Sequence, residues 1–297
     1  MITDKELNIV REALHFAQDN GARMARATLA VSSEDLVATL NGEIDRVTRC
    51  LDSSLSLALF VDGRYGSFST NKLDEASLQD FILKAISTVR MLAPDDCRRL
   101  PDPSVCCHGA VDGNELDLLD PFYKEITPEI RNQVALSAAA FGSDPLIISE
   151  EGEYSDSVYD TVIMDTNGLF CRHTENSFDY GVETTIESDG EKYTGYWWDS
   201  ASRFADLKAA ECGTIAAGRA KAQIGSEPAP TGKYNMVIGS EVASKAVSPI
   251  LAALSGGSVQ QNNSFLLDSL GKQVFPEGLT LMDLPHIKGQ TCSKLFD

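Results

Sequence analysis

Hydrophobic positions along the first ninety residues change period twice. Leu7, Val10, Leu14 and Ala17 recur at helical spacing, behind Thr3 as a cap and the first-turn acids Asp4 and Glu6, and Gly21 ends the run. From Ala27 the period drops to two, through Ala27 to Val31 and Asp35 to Leu40. Asn41-Gly42 then predicts a tight hairpin into a strand over Glu43 to Arg49. Two further strands, Ser54 to Val61 and Tyr65 to Ser69, flank an Asp62-Gly63 turn. A helix from near Asp74 to Met91 presents Leu78, Ile82, Ala85 and Val89 on one face.

The same order recurs downstream. After a loop from Ala93 to Leu119, Thr127 and Pro128 open a helix that the pattern carries to Phe141. Strands are expected at Leu146 to Glu151, Ser155 to Asp165, Leu169 to Glu175, Tyr180 to Ser188 and Tyr193 to Asp199, with turns at Asn167-Gly168 and Asp189-Gly190. A long helix from about Arg203 to Ile224 follows. A duplication and the common turn chemistry of antiparallel sheets both account for the repetition. The class is α+β: an N-terminal domain of helices packed on antiparallel sheet in two meanders.

Gly225 to Lys233, rich in Gly, Pro and Ser, reads as a linker. Tyr234 to Gly239 reads as a buried strand that begins a second, β-rich and incomplete domain. The expected division is 1–224, linker 225–233, and 234–297. From Ser255 to His286 the chain is polar and full of turn formers, yet it carries the apolar triplet Phe265-Leu266-Leu267. Such a segment suits the middle of a domain, so the chain is expected to be cut short at Asp297.

Composition narrows the function. Hydrophobic content of 43% and charged content of 23% are ordinary for a globular protein. No apolar run reaches the ~18 residues of a membrane span, and the N-terminus lacks the basic and apolar regions of a signal peptide. The expected location is the cytoplasm, with no membrane contact. A net charge of -19 argues against direct nucleic-acid binding, which needs a basic face to displace counterions. The seven cysteines have no framework spacing and read as reduced thiols. Cys97, Cys106, Cys107 and His108 give only a weak zinc pattern, without the usual Cys-x-x-Cys hook.

Catalytic signatures are sparse. There is no dinucleotide or phosphate loop and no nucleophile elbow. His15, His108, His173 and His286 are too scattered to suggest a triad. Trp197-Trp198 offers one ring to a binding surface and the other to the core, because strand neighbours point to opposite faces.

One set of residues goes further. Pro230-Thr-Gly-Lys-Tyr234, Ser240-Glu241-Val242-Ala243, Ser255-Gly-Gly-Ser258 and above all Ser264-Phe-Leu-Leu-Asp-Ser-Leu-Gly-Lys-Gln273 occur in order, followed by Leu279-Thr280, Pro285-His286 and Phe296-Asp297. With these blocks the chain resembles the TldD/PmbA family, in its PmbA (TldE) branch, ending before the final third. The resemblance implies a metallopeptidase system. TldD-type members carry His-Glu-x-x-x-His on the helix after the strand, where two histidines hold the metal and the Glu serves as general base. At those positions this chain has Ser240, Glu241 and Lys245. A hydroxyl is a poor zinc ligand and an ammonium repels the ion, so the resemblance implies no cofactor here and zinc only in a TldD-type partner. Glu241 can be a relic of the general base or a helix-start carboxylate favoured by the macrodipole. The implied partner is a TldD-type subunit or a second copy, and the implied substrate is an unfolded or leader peptide. The family name's link to DNA gyrase is then indirect, through degraded peptides. A non-enzymatic peptide-binding or scaffold protein is the alternative, and a peptidase using other residues a third.

Overall fold

Thr3 accepts a hydrogen bond from the Glu6 amide while Glu6 reaches back to the Thr3 amide, a reciprocal cap that starts α1 (Asp4–Asp19). The computed structural model describes residues 1–95 and 97–296. Asp297 of the Phe296-Asp297 block therefore lies outside the described residues. Strand β1 (Met24–Leu40) turns at Asn41-Gly42, with φ of 52° and 79°, into β2 (Glu43–Val61). Both central residues of a type I′ turn need positive φ, which Asn and Gly tolerate best. Asp62-Gly63 makes the same turn into β3 (Arg64–Thr70), and α2 (Glu75–Val89) follows behind an Asp74 cap. Each strand pair expected over 27–40 and over 43–61 is one continuous long strand.

The second half repeats this order. α3 (Pro128–Ser137) precedes β4 (Ile147–Asp165), β5 (Phe170–Ser188), β6 (Glu191–Ala201) and α4 (Ala209–Lys221). The two meanders merge into one six-stranded antiparallel sheet of order β3-β2-β1-β4-β5-β6. That order is palindromic, with β1 and β4 side by side at the centre. Helix, three strands, helix is thus present twice, in the two halves that meet at β1 and β4.

All four helices cover one face. The register places Ala27, Leu29 and Val37 of β1 on the same side as Met164, Val162 and Tyr154 of β4. One core packs α1 and α2 against Leu29, Leu57 and Val162; a second packs α3 and α4 against Val37, Tyr154 and Tyr180. Helix α4 lies so close to its neighbours that a Cβ on Gly213 would sit 2.1 Å from the Ala138 carbonyl oxygen.

Two helices are shorter than their hydrophobic pattern. α3 stops at Ser137 because the Glu150 carboxylate captures the Ala140 and Phe141 amides, and Gly142 turns away at φ 82°. α4 starts only at Ala209. Arg203 is drawn to the Asp117 and Leu119 carbonyls and the Phe204 amide to Asp120, leaving a short 3-10 turn at Phe204–Asp206. In both places tertiary partners outbid the helical ladder.

The chain divides into two compact units, 226–283 and the remainder. Residues from 284 onward belong with the first: the Gly289 amide donates to the Leu116 carbonyl, Lys294 pairs with Glu175, and Phe296 meets the His173 ring edge-on. The unit 226–283 holds α5 (Ser240–Leu254) and α6 (Gly256–Gln260). Tyr234 to Gly239, expected as a buried strand, is exposed and unladdered, and no strand forms among the described residues of this unit. An extended segment becomes a strand only when a neighbour takes its amides and carbonyls, and here none does. In the apolar triplet Leu266 is buried and Phe265 exposed.

Candidate functional site

The residues singled out by sequence stand together at the head of α5. Gly239 precedes the helix, and Ser240, Glu241 and Lys245 occupy its first two turns, all exposed. Glu241 lies in the first turn, where the helix dipole favours a carboxylate, and its side chain folds back beside Gly239. The site offers one hydroxyl, one carboxylate and one ammonium. That donor set does not fit zinc, which takes imidazole, thiolate and carboxylate. Among the described residues no group of three or more His, Cys, Asp or Glu is placed to hold a metal.

The other sequence candidates are dispersed. His108 bonds the Pro103 carbonyl in the loop after α2, and His286 the Lys294 carbonyl. His173 is buried beside Glu175, which also pairs with Lys294. Burial pushes the Glu175 carboxyl up, but the His173 and Lys294 contacts outweigh it and hold the group below its usual range. Cys171 points its thiol at the Cys107 carbonyl, and burial raises it to about 11.

Several buried carboxylates serve the fold. Asp35 and Asp156 face each other directly across β1 and β4. Arg131 of α3 bridges them, with Nε and a terminal nitrogen on Asp156 at 2.6 and 2.9 Å and Asp35 at 3.1 Å. The Asp160 carboxylate takes the Ile2 amide and a fork from Arg172. Each anion is satisfied, as burial requires.

The sheet face opposite α1 to α4 carries small and polar residues, among them Thr28, Ala30 and Ser32 on β1 and Ser155 and Ser157 on β4, beside the larger Leu36, Tyr159 and Ile163. A groove of about 690 Å³ opens there toward the β4-β5-β6 side. Asp45, Glu151, Glu153, Asp179, Glu183 and Asp199 line it, with Arg46 as the sole cation, itself 3.7 Å from Glu153. Tyr196 and Trp198 stand half-exposed in its wall. Trp197, on the opposite face, is partly buried against the α4 side with the Arg219 guanidinium 4.2 Å above its ring. The sequence pattern ends a strand at Glu151 and leaves Glu153 in the gap before Ser155; one continuous β4 puts both on the groove face, and their meeting with Tyr196 and Trp198 depends on register. Such a groove repels phosphate and accommodates cationic, apolar-bearing segments.

Comparison with known proteins agrees with the blocks found in the sequence. Three family profiles match in order: PmbA/TldA metallopeptidase domain 1 over 29–89, the central domain over 124–224 and the C-terminal domain over 231–297. Metalloprotease PmbA of Escherichia coli O157:H7 is 28% identical over 88% of this chain and 58% of its own length. The Haemophilus influenzae PmbA homolog is 26% identical over 97% and 64%. The chain therefore spans about three-fifths of these curated relatives. A crystal structure from Bacteroides thetaiotaomicron, described as a candidate modulator of DNA gyrase, is 33% identical and covers all of this chain and 68% of its own, with a TM-score of 0.94. TldE from Thermococcus kodakarensis shares the fold at 14% identity, with a TM-score of 0.71 over 88% of this chain and 58% of its own. No helix among the described residues is long and apolar enough to cross a membrane. With three successive domains matched in order and a close structural relative along its whole length, the chain belongs to the PmbA/TldE family.

Proposed function

We propose that this chain is the metal-free, PmbA/TldE-type subunit of a two-chain metallopeptidase. Its TldD-type partner carries the zinc, and the pair acts in the cytoplasm on unfolded or leader peptides. The observation that carries the reading is the donor set at the head of α5. At the head of α5 stand Ser240, Glu241 and Lys245; by the family resemblance the first and last take the places of metal-binding imidazoles, and Glu241 alone keeps its chemical type. An ammonium one turn from a carboxylate stabilises that carboxylate and repels a divalent cation. Catalysis therefore falls to the partner, and this chain supplies subunit contact and substrate surface. Direct DNA contact has no part in the proposal, because the charge is -19 and the open groove is lined by six carboxylates.

The test is cleavage of an unstructured peptide by this chain, by a TldD-type chain, and by both together. Cleavage by the mixture, abolished by a chelator and absent from this chain alone, is the expected result. Metal-dependent cleavage by this chain alone overturns the assignment. A second reading, a peptide-binding or scaffold protein with no catalytic partner, is favoured by the acidic groove with Tyr196 and Trp198 in its wall. It requires peptide binding without a partner and no complex with a TldD-type chain.

A further inference from the structure

Acids on the open sheet face are of two kinds. Some are satisfied within the chain. Arg46, Ala38 and Glu153 stand in one row across β2, β1 and β4, and the small Ala38 lets the guanidinium come within 3.7 Å of Glu153. Asp179 accepts the Ser177 and Ser200 hydroxyls, and Glu175 pairs with Lys294. A neighbouring row is not satisfied. Leu40 of β1, Glu151 of β4, Glu183 of β5 and Tyr196 of β6 are successive partners in register, with Glu43 of β2 beyond Leu40. Glu151 and Glu183 are thus directly opposed, and among the described residues no cation pairs with either. Like charges so placed, with Cβ atoms about 5 Å apart, destabilise a sheet.

The surroundings of the pair suit a cation brought from outside. Both glutamates are exposed in the wall of the groove, between the exposed apolar side chains Leu40 and Tyr196. Those two offer surface to the methylene stem of a long basic side chain whose head lies between the carboxylates. The Tyr196 hydroxyl reaches over Gly181, where a Cβ would lie 2.9 Å away, and Trp198 stands opposite Gly181 in the next row. The chain itself lays a segment of this chemistry farther along the same face of β5: Lys294 sits on Glu175, and Phe296 meets the His173 ring edge-on.

We propose that the row Leu40, Glu151, Glu183 and Tyr196 is a subsite for one basic side chain of an extended peptide, with Trp198 receiving an apolar side chain beside it. A bound cation turns the repulsion between the two carboxylates into two attractions. Arginine is preferred to lysine, because its planar fork engages two carboxylates at once while an ammonium is a point charge. Acidic peptides are repelled. The subsite narrows the substrate class of the peptide reading above to basic sequences, and it rests on that reading only for a peptide as the natural ligand. No residue of α5 takes part.

Fluorescence anisotropy of labelled Gly-Ser peptides, each carrying a phenylalanine and either arginine, lysine, glutamine or glutamate, measures binding to the full 297-residue chain. The arginine peptide should bind most tightly and the lysine peptide next, with the other two at least about tenfold weaker. Glu151→Gln and Glu183→Gln should each weaken the arginine peptide about three- to tenfold. Glu12→Gln removes the same charge from α1, on the other side of the sheet, and should leave binding unchanged. Because the opposed pair is unfavourable in the free protein, Glu183→Gln should also melt slightly higher than the parent, a gain that loss of a structural carboxylate would not give. Equal binding of the arginine and glutamine peptides overturns the proposal, as does an arginine peptide indifferent to both glutamate substitutions. Failure of the peptidase reading looks different: the preference for arginine persists, supporting the subsite, while addition of a TldD-type chain gives no cleavage. Cleavage by the pair at one rate for arginine and glutamate peptides, without any preference in binding, overturns the subsite and leaves the peptidase reading standing.

Discussion

Replacing Arg131 with methionine removes the one cation between two buried carboxylates. Asp35 and Asp156 are direct cross-strand partners at the β1-β4 seam, where the two halves of the sheet join. Their side chains are 11% and 0% exposed, and that of Arg131 is 10% exposed. The guanidinium makes a fork on Asp156 at 2.6 and 2.9 Å and reaches Asp35 at 3.1 Å, so its loss strands the fully buried Asp156 beside Asp35, which keeps only the exposed Arg49 at 3.7 Å. Breaking one partner out of a buried pair costs about 3–5 kcal/mol, a large share of the ~5–15 kcal/mol that holds a typical domain. For a unit of this size the melting temperature should fall by roughly 6–20 °C. Denaturant unfolding followed by circular dichroism gives the free energy directly. Replacing Arg131, Asp35 and Asp156 together by neutral side chains should recover much of the loss, because the penalty lies in stranded charge. A loss below about 1 kcal/mol for Arg131→Met would mean that water screens the triad as at a surface, and would refute the reasoning.

Three further outcomes follow from single contacts. Gly213→Ala should destabilise by about 1–3 kcal/mol by overpacking, since its Cβ would lie 2.1 Å from the Ala138 carbonyl; a melting curve like that of the parent would contradict the packing of α3 on α4. Burial raises the Cys212 thiol to about 11, so at neutral pH it should alkylate far more slowly than exposed Cys50 and Cys292. Equal labelling of all three by mass spectrometry would contradict its burial. The folded-state value of Glu175 lies below its ordinary 4.5, so its hold on Lys294 contributes fully above 4.5 and is lost as pH falls through the lower folded value. Hydrogen exchange over 284–296 should therefore quicken only in acid, and Glu175→Gln should quicken it at neutral pH.

The fold was legible where one rule governed locally. Thr3 and Glu6 fix the start of α1, and Asn41-Gly42, Asp62-Gly63 and Asp189-Gly190 fix three hairpins, because each works through its own backbone. The joining of two meanders into one sheet was not legible. It depends on β1 meeting β4 across more than a hundred residues, and the triad that holds this seam is a long-range arrangement. Arg203 likewise reads as a helix residue until Asp117 and Leu119 are folded beside it. Tyr234 to Gly239 has a strand's composition, but composition cannot supply the partner strand. At the candidate site the types of Ser240, Glu241 and Lys245 and their shared helix came from sequence alone. The acidic groove, by contrast, is assembled from five strands and needed the register.

The division of labour with a metal-bearing partner can be measured in one titration. A fixed amount of a TldD-type chain receives increasing amounts of this chain, and peptide cleavage and protein-bound zinc are followed together. The account predicts that cleavage rises and saturates while bound zinc stays at the level set by the partner. Zinc that increases in step with this chain, with cleavage persisting when the partner is left out, would contradict it.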